Sequence, residues 1–141
     1  MEISEKVRFR LESARVARLA TVDPQGAPHM IPVCFVFDGS VLYSGIDRKP
    51  KRTAPRHLAR LANIEVTPKV AFLIDEYDEE WERLWYVLIR GSAALVTDDA
   101  EHEQAVTRLK AKYTQYAAGM LDGDAPVLRI TPARITSWGQ L

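Results

Sequence analysis

The chain has 141 residues, the size of one ordinary domain, and with 47% hydrophobic residues it can bury a core. Its 19 basic and 19 acidic side chains cancel, so no global field draws it to nucleic acid or to a membrane surface. The single cysteine, Cys34, excludes an internal disulfide and a cysteine-rich metal site. It lies in the apolar run 33–37 and is expected to be a small buried hydrophobe. No stretch approaches the ~20 apolar residues of a membrane-spanning helix, and the charged N-terminus lacks a signal-peptide core. A cytoplasmic protein of one domain, residues 1–141, is expected.

Taken in order, residues 3–14 predict a helix, with Ser4 able to cap it and Ile3, Val7 and Leu11 on one face. Residues 16–22 alternate and predict a strand. Asp23-Pro24-Gln25-Gly26 is a turn, since proline presets φ and glycine accepts positive φ. Residues 28–37 form the return strand, in which Pro28 and Pro32 mark an edge or a bulge. A second tight turn at Asp38-Gly39 leads to a strand at 41–44. Residues 53–64 predict a short helix, with Leu58 and Leu61 facing inward and Arg56 and Arg60 outward. A strand at 69–75 follows, then a long apolar run at 84–96 that reads as a central strand bent at Gly91. The clearest helix spans 98–116, and two short strands, 127–130 and 134–138, close the chain on either side of Pro132. Six or seven strands joined mostly by hairpins, with a few helices, predict a closed antiparallel barrel with helices at its rim.

Charge is segregated along this pattern. Residues 75–82 carry six acids and no base, the pattern of a solvated surface. Residues 48–62 carry only basic ionisable groups. That run opens with the loop Ser44-Gly45-Ile46-Asp47-Arg48-Lys49-Pro50-Lys51-Arg52-Thr53, between a strand end and a helix start. Side-chain charge and unpaired helix N–H groups together make such a loop an anion site; a plain solvated loop is the competing reading. The run lacks the interleaved aromatics of a nucleic-acid surface. Neither His57 nor His102 has an evident nucleophile beside it, no metal-ligand spacing occurs, and no glycine-rich phosphate loop is present.

Several features combine into a family resemblance. The strand Ala17-Leu19-Ala20-Thr21-Val22 precedes Gly26-x-Pro28-His29-x-x-Pro32-Val33 and a strand to Ser44. Then come Lys49-Pro50-Lys51-Arg52, Arg60-Leu61-x-Asn63-Ile64, Pro68-x-Val70 and Leu73-x-Asp75-x-Tyr77. The acidic run leads to Trp81-x-x-Leu84-Trp85, followed by Gly91-x-Ala93, Lys112-Tyr113-x-Gln115-Tyr116 and Trp138. In this order the chain resembles the flavin and deazaflavin split-barrel oxidoreductases related to pyridoxamine 5′-phosphate oxidase. Within them it is similar to the branch dependent on the deazaflavin coenzyme F420.

The resemblance implies a mainly β, six-stranded antiparallel split β-barrel with peripheral helices. It implies a homodimer with a cofactor groove at or near the interface and a small-molecule substrate. Lys49, Lys51 and Arg52 would hold the cofactor phosphate, joined by Thr53, where related branches often carry asparagine. Thr21, Ile31, Pro32 and Val33 would line the ring system, with Ser44 and Gly45 under the ribityl chain. Trp81, Leu84 and Trp85 would be core, dimer contact or pocket wall. The coenzyme is strongly anionic and suits the acid-free basic run, although FMN also carries a phosphate. Three functions stay open: a reductase using F420, an FMN-dependent oxidase or reductase, and a non-catalytic carrier of flavin, F420 or haem. No catalytic residue is assigned; His29 and Tyr77 are candidate proton donors.

Overall fold

A computed structural model describes residues 2–49 and 58–141. The opening helix α1, Glu5–Ser13, starts where the Ser4 hydroxyl accepts a hydrogen bond from Val7 N, and it buries Val7 and Leu11. The strands β1, Ala17–Val22, and β2, Pro28–Val33, form the expected hairpin. Its turn is built as the residues dictate. Asp23 Oδ1 accepts from Gln25 N and Ala27 N at 2.9 Å, and Gly26 takes φ 86°.

One feature departs from the expected single strand at 28–37. The chain breaks at Cys34 and Phe35, and Val36–Phe37 forms a separate strand, β3. Strand β3 pairs with β4, Leu42–Gly45, across the Asp38-Gly39 turn. Helix α2, Ala59–Val66, then leads into β5, Lys69–Glu76. A single 3-10 turn at Trp81–Arg83 precedes β6, Trp85–Leu95. Helix α3, Asp99–Lys112, capped by Asp98, is followed by one wide turn at Tyr116–Met120 and the last strand, β7, Val127–Gly139.

The closing strand also departs from expectation. Residues 127–139 are one strand, and Pro132 does not split it. Gly91 pairs with Pro132 while Arg90 pairs with Arg134, so Ala133 is the extra residue of a bulge beside the proline. At this point β6 and β7 approach so closely that a Cβ on Gly91 would lie 2.0 Å from Thr131 O. The sequence signal for a bend at Gly91 thus has a steric cause.

The described strands make one antiparallel sheet of seven, in the order β2-β1-β5-β6-β7-β4-β3, rather than six. Against the strands read along the chain, the break at Cys34 and Phe35 adds one and the unbroken β7 removes one. That break also shows how the sheet curls. Strands β2 and β3 are its opposite edges, yet three peptide steps from Val33 to Val36 reach at most about 11 Å. The sheet therefore bends round until its edges nearly meet, giving a barrel left split between β2 and β3. Phe35 and Phe72, edge to face at 4.9 Å, fill its interior with Leu19, Leu42, Ile74 and Ile89. A second apolar cluster packs α3 and the residues just after it against β4 and β7 through Val106, Leu109, Tyr113 and Tyr116. No described helix is long and apolar enough to cross a membrane.

Candidate functional site

The split in the barrel opens a cleft of about 130 Å³. The end of β2 supplies Pro32 and Val33, and the end of β4 supplies Ser44 and Gly45. Asp47 and Lys49 close one side, and Arg60 from the first turn of α2 closes another. Cys34, at the chain break, completes the lining; it is half-buried, less enclosed than expected, with Sγ 3.8 Å from Lys49 Nζ. Two wider hollows, about 330 and 530 Å³, lie beside α3. The larger is bordered by α3 alone, and one helix face cannot enclose a ligand.

Charge inside the cleft is organised by Asp47. Its side chain is 7% exposed, and it accepts hydrogen bonds from Lys49 N, from the Lys49 ammonium and from Tyr116 Oη. Burial pushes the Asp47 carboxyl upward, but these donors outweigh it and hold the pKa down at about 2. Burial and the Asp47 charge push the Tyr116 phenol far above its usual range, so it stays a neutral donor.

Arg60 is the residue the sequence reading misplaced. Expected on the outer face of α2, it is half-buried and lines the cleft. Burial pulls its pKa down, opposed by the nearby Asp47 charge. Its Nε is enclosed and has no hydrogen-bond partner among the described residues. A guanidinium remains charged even so, and an enclosed, unpaired donor is costly until an acceptor arrives. Lys49 and Arg60 against Asp47 leave one net positive charge among the described groups of the cleft. The cleft can therefore take an anionic or oxygen-rich group. Asn63, one turn beyond Arg60, is also buried, so this face of α2 turns inward, and nothing in the sequence signalled it.

Of the residues expected at the site, Pro32, Val33, Ser44, Gly45 and Lys49 come together in the cleft. Thr21 and Ile31 are not part of its lining. Thr21 is 1% exposed and its hydroxyl accepts from Asn63 Nδ2 at 2.9 Å, while Ile31 packs on the core. Lys51, Arg52 and Thr53 lie outside the described residues, as does Arg56. Of the candidate proton donors, His29 shares the inward face of β2 with Ile31 and Val33, and its enclosed Nδ1 has no partner among the described residues. Tyr77 is 66% exposed and its hydroxyl reaches only Glu79. No cluster of metal-ligating side chains occurs among the described residues.

Residues 3–139 match the family model described as pyridoxamine 5′-phosphate oxidase. A 5a,11a-dehydrotetracycline/5a,11a-dehydrooxytetracycline reductase from Streptomyces rimosus is 28% identical over 144 residues, spanning 99% of this chain and 84% of that protein. Among solved structures, a conserved hypothetical protein from Mycobacterium tuberculosis superposes with a TM-score of 0.78 at 22% identity, covering 99% of this chain and 86% of the other. A structure named as an F420 reductase gives a TM-score of 0.68 at 23% identity, covering 95% and 98%. At these identities the two structures speak for the fold.

Proposed function

The chain belongs to the pyridoxamine 5′-phosphate oxidase family, and from that footing we propose that it is an oxidoreductase that holds a flavin-type coenzyme, coenzyme F420 in preference to FMN, and reduces a small organic substrate. The observation that carries this reading is the enclosed, unpaired Arg60 Nε set in the same cleft as Lys49. Two cations at the end of β2 and β4 fit the phosphate of such a coenzyme. Lys51, Arg52 and Thr53 are further phosphate contacts in this proposal. The run from Arg48 to Arg60 contains no acid, which suits the more anionic F420. The names of the Streptomyces rimosus reductase and of the F420 reductase structure support reduction and the deazaflavin, respectively.

When bound, the coenzyme supplies the hydride chemistry. The protein binds and orients. Lys49 and Arg60 fix the phosphate end, Ser44 and Gly45 bring the strand backbone close to the chain that follows, and Pro32 and Val33 offer a flat apolar wall. A cleft of about 130 Å³ has room for the phosphate end and not for a tricyclic ring, because drug-sized ligands occupy roughly 300–1,000 Å³. In this proposal the ring would be held outside the cleft, against Pro32 and Val33, and a second copy of the chain would complete the groove.

The test is a titration of the protein with FMN and with F420, followed by tryptophan fluorescence. F420 binds tighter. Lys49→Ala and Arg60→Ala each weaken binding by about tenfold or more, the scale of a charge-assisted hydrogen bond. Affinity falls as salt is raised, because exposed charge contacts are screened. Affinity unchanged by both substitutions would overturn the phosphate site; tighter binding of FMN would overturn the choice of coenzyme.

A further inference from the structure

The loop that carries Lys49 does not stand by itself. Residues 46–48 are fastened at each position to the segment 116–126 that follows α3. Ile46 N donates to Pro126 O and Arg48 N to Met120 O, both at 2.9 Å. The Arg48 guanidinium pairs with Asp122 Oδ1 at 2.6 Å. Leu121 packs so tightly on Gly45 that a Cβ there would lie 2.9 Å from Leu121 Cδ1. At the centre, Tyr116, 3% exposed, donates its hydroxyl to Asp47, and Asp47 in turn holds both the backbone N–H and the ammonium of Lys49. The Lys49 ammonium also lies 5.8 Å from the centre of the Tyr116 ring.

We propose that Asp47, clamped by Tyr116, is a positioning residue that presets Lys49 as the anion anchor of the cleft, so that the turn after α3 sets the affinity for the phosphate of the ligand. A lysine has a long, flexible stem, and ordering it is a cost that binding must overcome. Holding it before the ligand arrives removes that cost. Asp47 also has an opposite effect, since its own charge repels an anion. Exposure decides between the two: the Asp47 side chain is 7% exposed and the Lys49 side chain 59%, so the ligand meets the ammonium first. Arg60 keeps the cleft net positive beyond this pair.

The inference rests on the phosphate-site reading, and the experiment separates the two. Dissociation constants are measured for FMN against riboflavin, and for F420 against its phosphate-free deazaflavin, which differ only beyond the ring and its polyol chain. Tyr116→Phe, which keeps the buried ring, raises the constant for the phosphate-bearing member about five- to tenfold, the scale of one net hydrogen bond. It leaves the phosphate-free member within about twofold. Asp47→Asn acts in the same direction and serves if Tyr116→Phe does not fold. The double variant Lys49→Ala with Tyr116→Phe binds no more weakly than Lys49→Ala alone. If Asp47→Asn tightens binding of FMN or F420, Asp47 is a competitor for Lys49 and the inference is wrong. Equal weakening of both members of a pair means a structural role only and also overturns it. If Lys49→Ala weakens binding while Tyr116→Phe and Asp47→Asn do not, the inference alone falls. If Lys49→Ala has no effect, the anchor itself falls with it.

Discussion

Asn63 shows how much of the site depends on single polar side chains. It is 5% exposed, and its amide donates to the Thr21 hydroxyl across the α2–β1 contact. Asn63→Ala leaves that hydroxyl enclosed and removes its donor. An expected loss of about 1–3 kcal/mol in urea unfolding follows, the cost of an unsatisfied buried group. The resemblance put Thr21 against the ring system, and nothing in the sequence showed that its hydroxyl is committed to a helix residue 42 positions away. Arg60 was misread for a related reason. Charge places a residue outside by default, and only the curl of the barrel brings the first turn of α2 over the cleft.

At the scale of elements, the bulge between β6 and β7 is the clearest agreement of residue and geometry. Gly91→Ala would press its methyl group into the Thr131 carbonyl, where β7 cannot yield without losing its register. It is expected to cost about 1–3 kcal/mol, as overpacking does, seen as a fall in the urea midpoint at unchanged slope. The end of α3 behaves differently. Lys112 donates to Phe35 O at 2.9 Å, and burial, with Arg15 nearby, pulls its pKa from 10.5 down to about 8. Between these two values the unfolded chain holds the proton and the folded chain does not. Stability therefore rises with pH across that interval. In Lys112→Met, whose apolar stem fills the same space, that rise is absent when urea unfolding is compared at pH 7 and pH 9.5. The helix expected at 98–116 took in both Lys112 and Tyr116, but nothing local showed that their side chains reach Phe35 and Asp47, in the segments that follow β2 and β4.

At the scale of the molecule, the curled sheet leaves large apolar side chains outside. Met30, Tyr77, Trp81 and Trp138 are each more than half exposed, and Trp138 stacks on Tyr86 at 5.9 Å. Exposed aromatic and methionine side chains such as these are enriched at association surfaces. Light scattering is expected to give twice the 15.9 kDa chain mass, with Trp138→Asp shifting the population towards the monomer. A monomer at all concentrations would remove the proposal that a second copy completes the groove.

The sequence by itself determined the hairpins, their turns and the bend at Gly91, because turn chemistry and two-residue alternation are local properties. It also carried the family, through motifs whose order survives without any contact being known. Three things were decided only by tertiary structure. The strand at 28–37 breaks at Cys34 and Phe35 where the sheet curls round, and the described sheet has seven strands rather than the six of the family resemblance. Pro132 could stay within one strand because the partner strand offers a glycine at the bulge. The clasp of Asp47 by Tyr116 joins residues 69 positions apart. Pairings across such distances depend on which surfaces meet once the core is packed, and no local pattern in the chain encodes them.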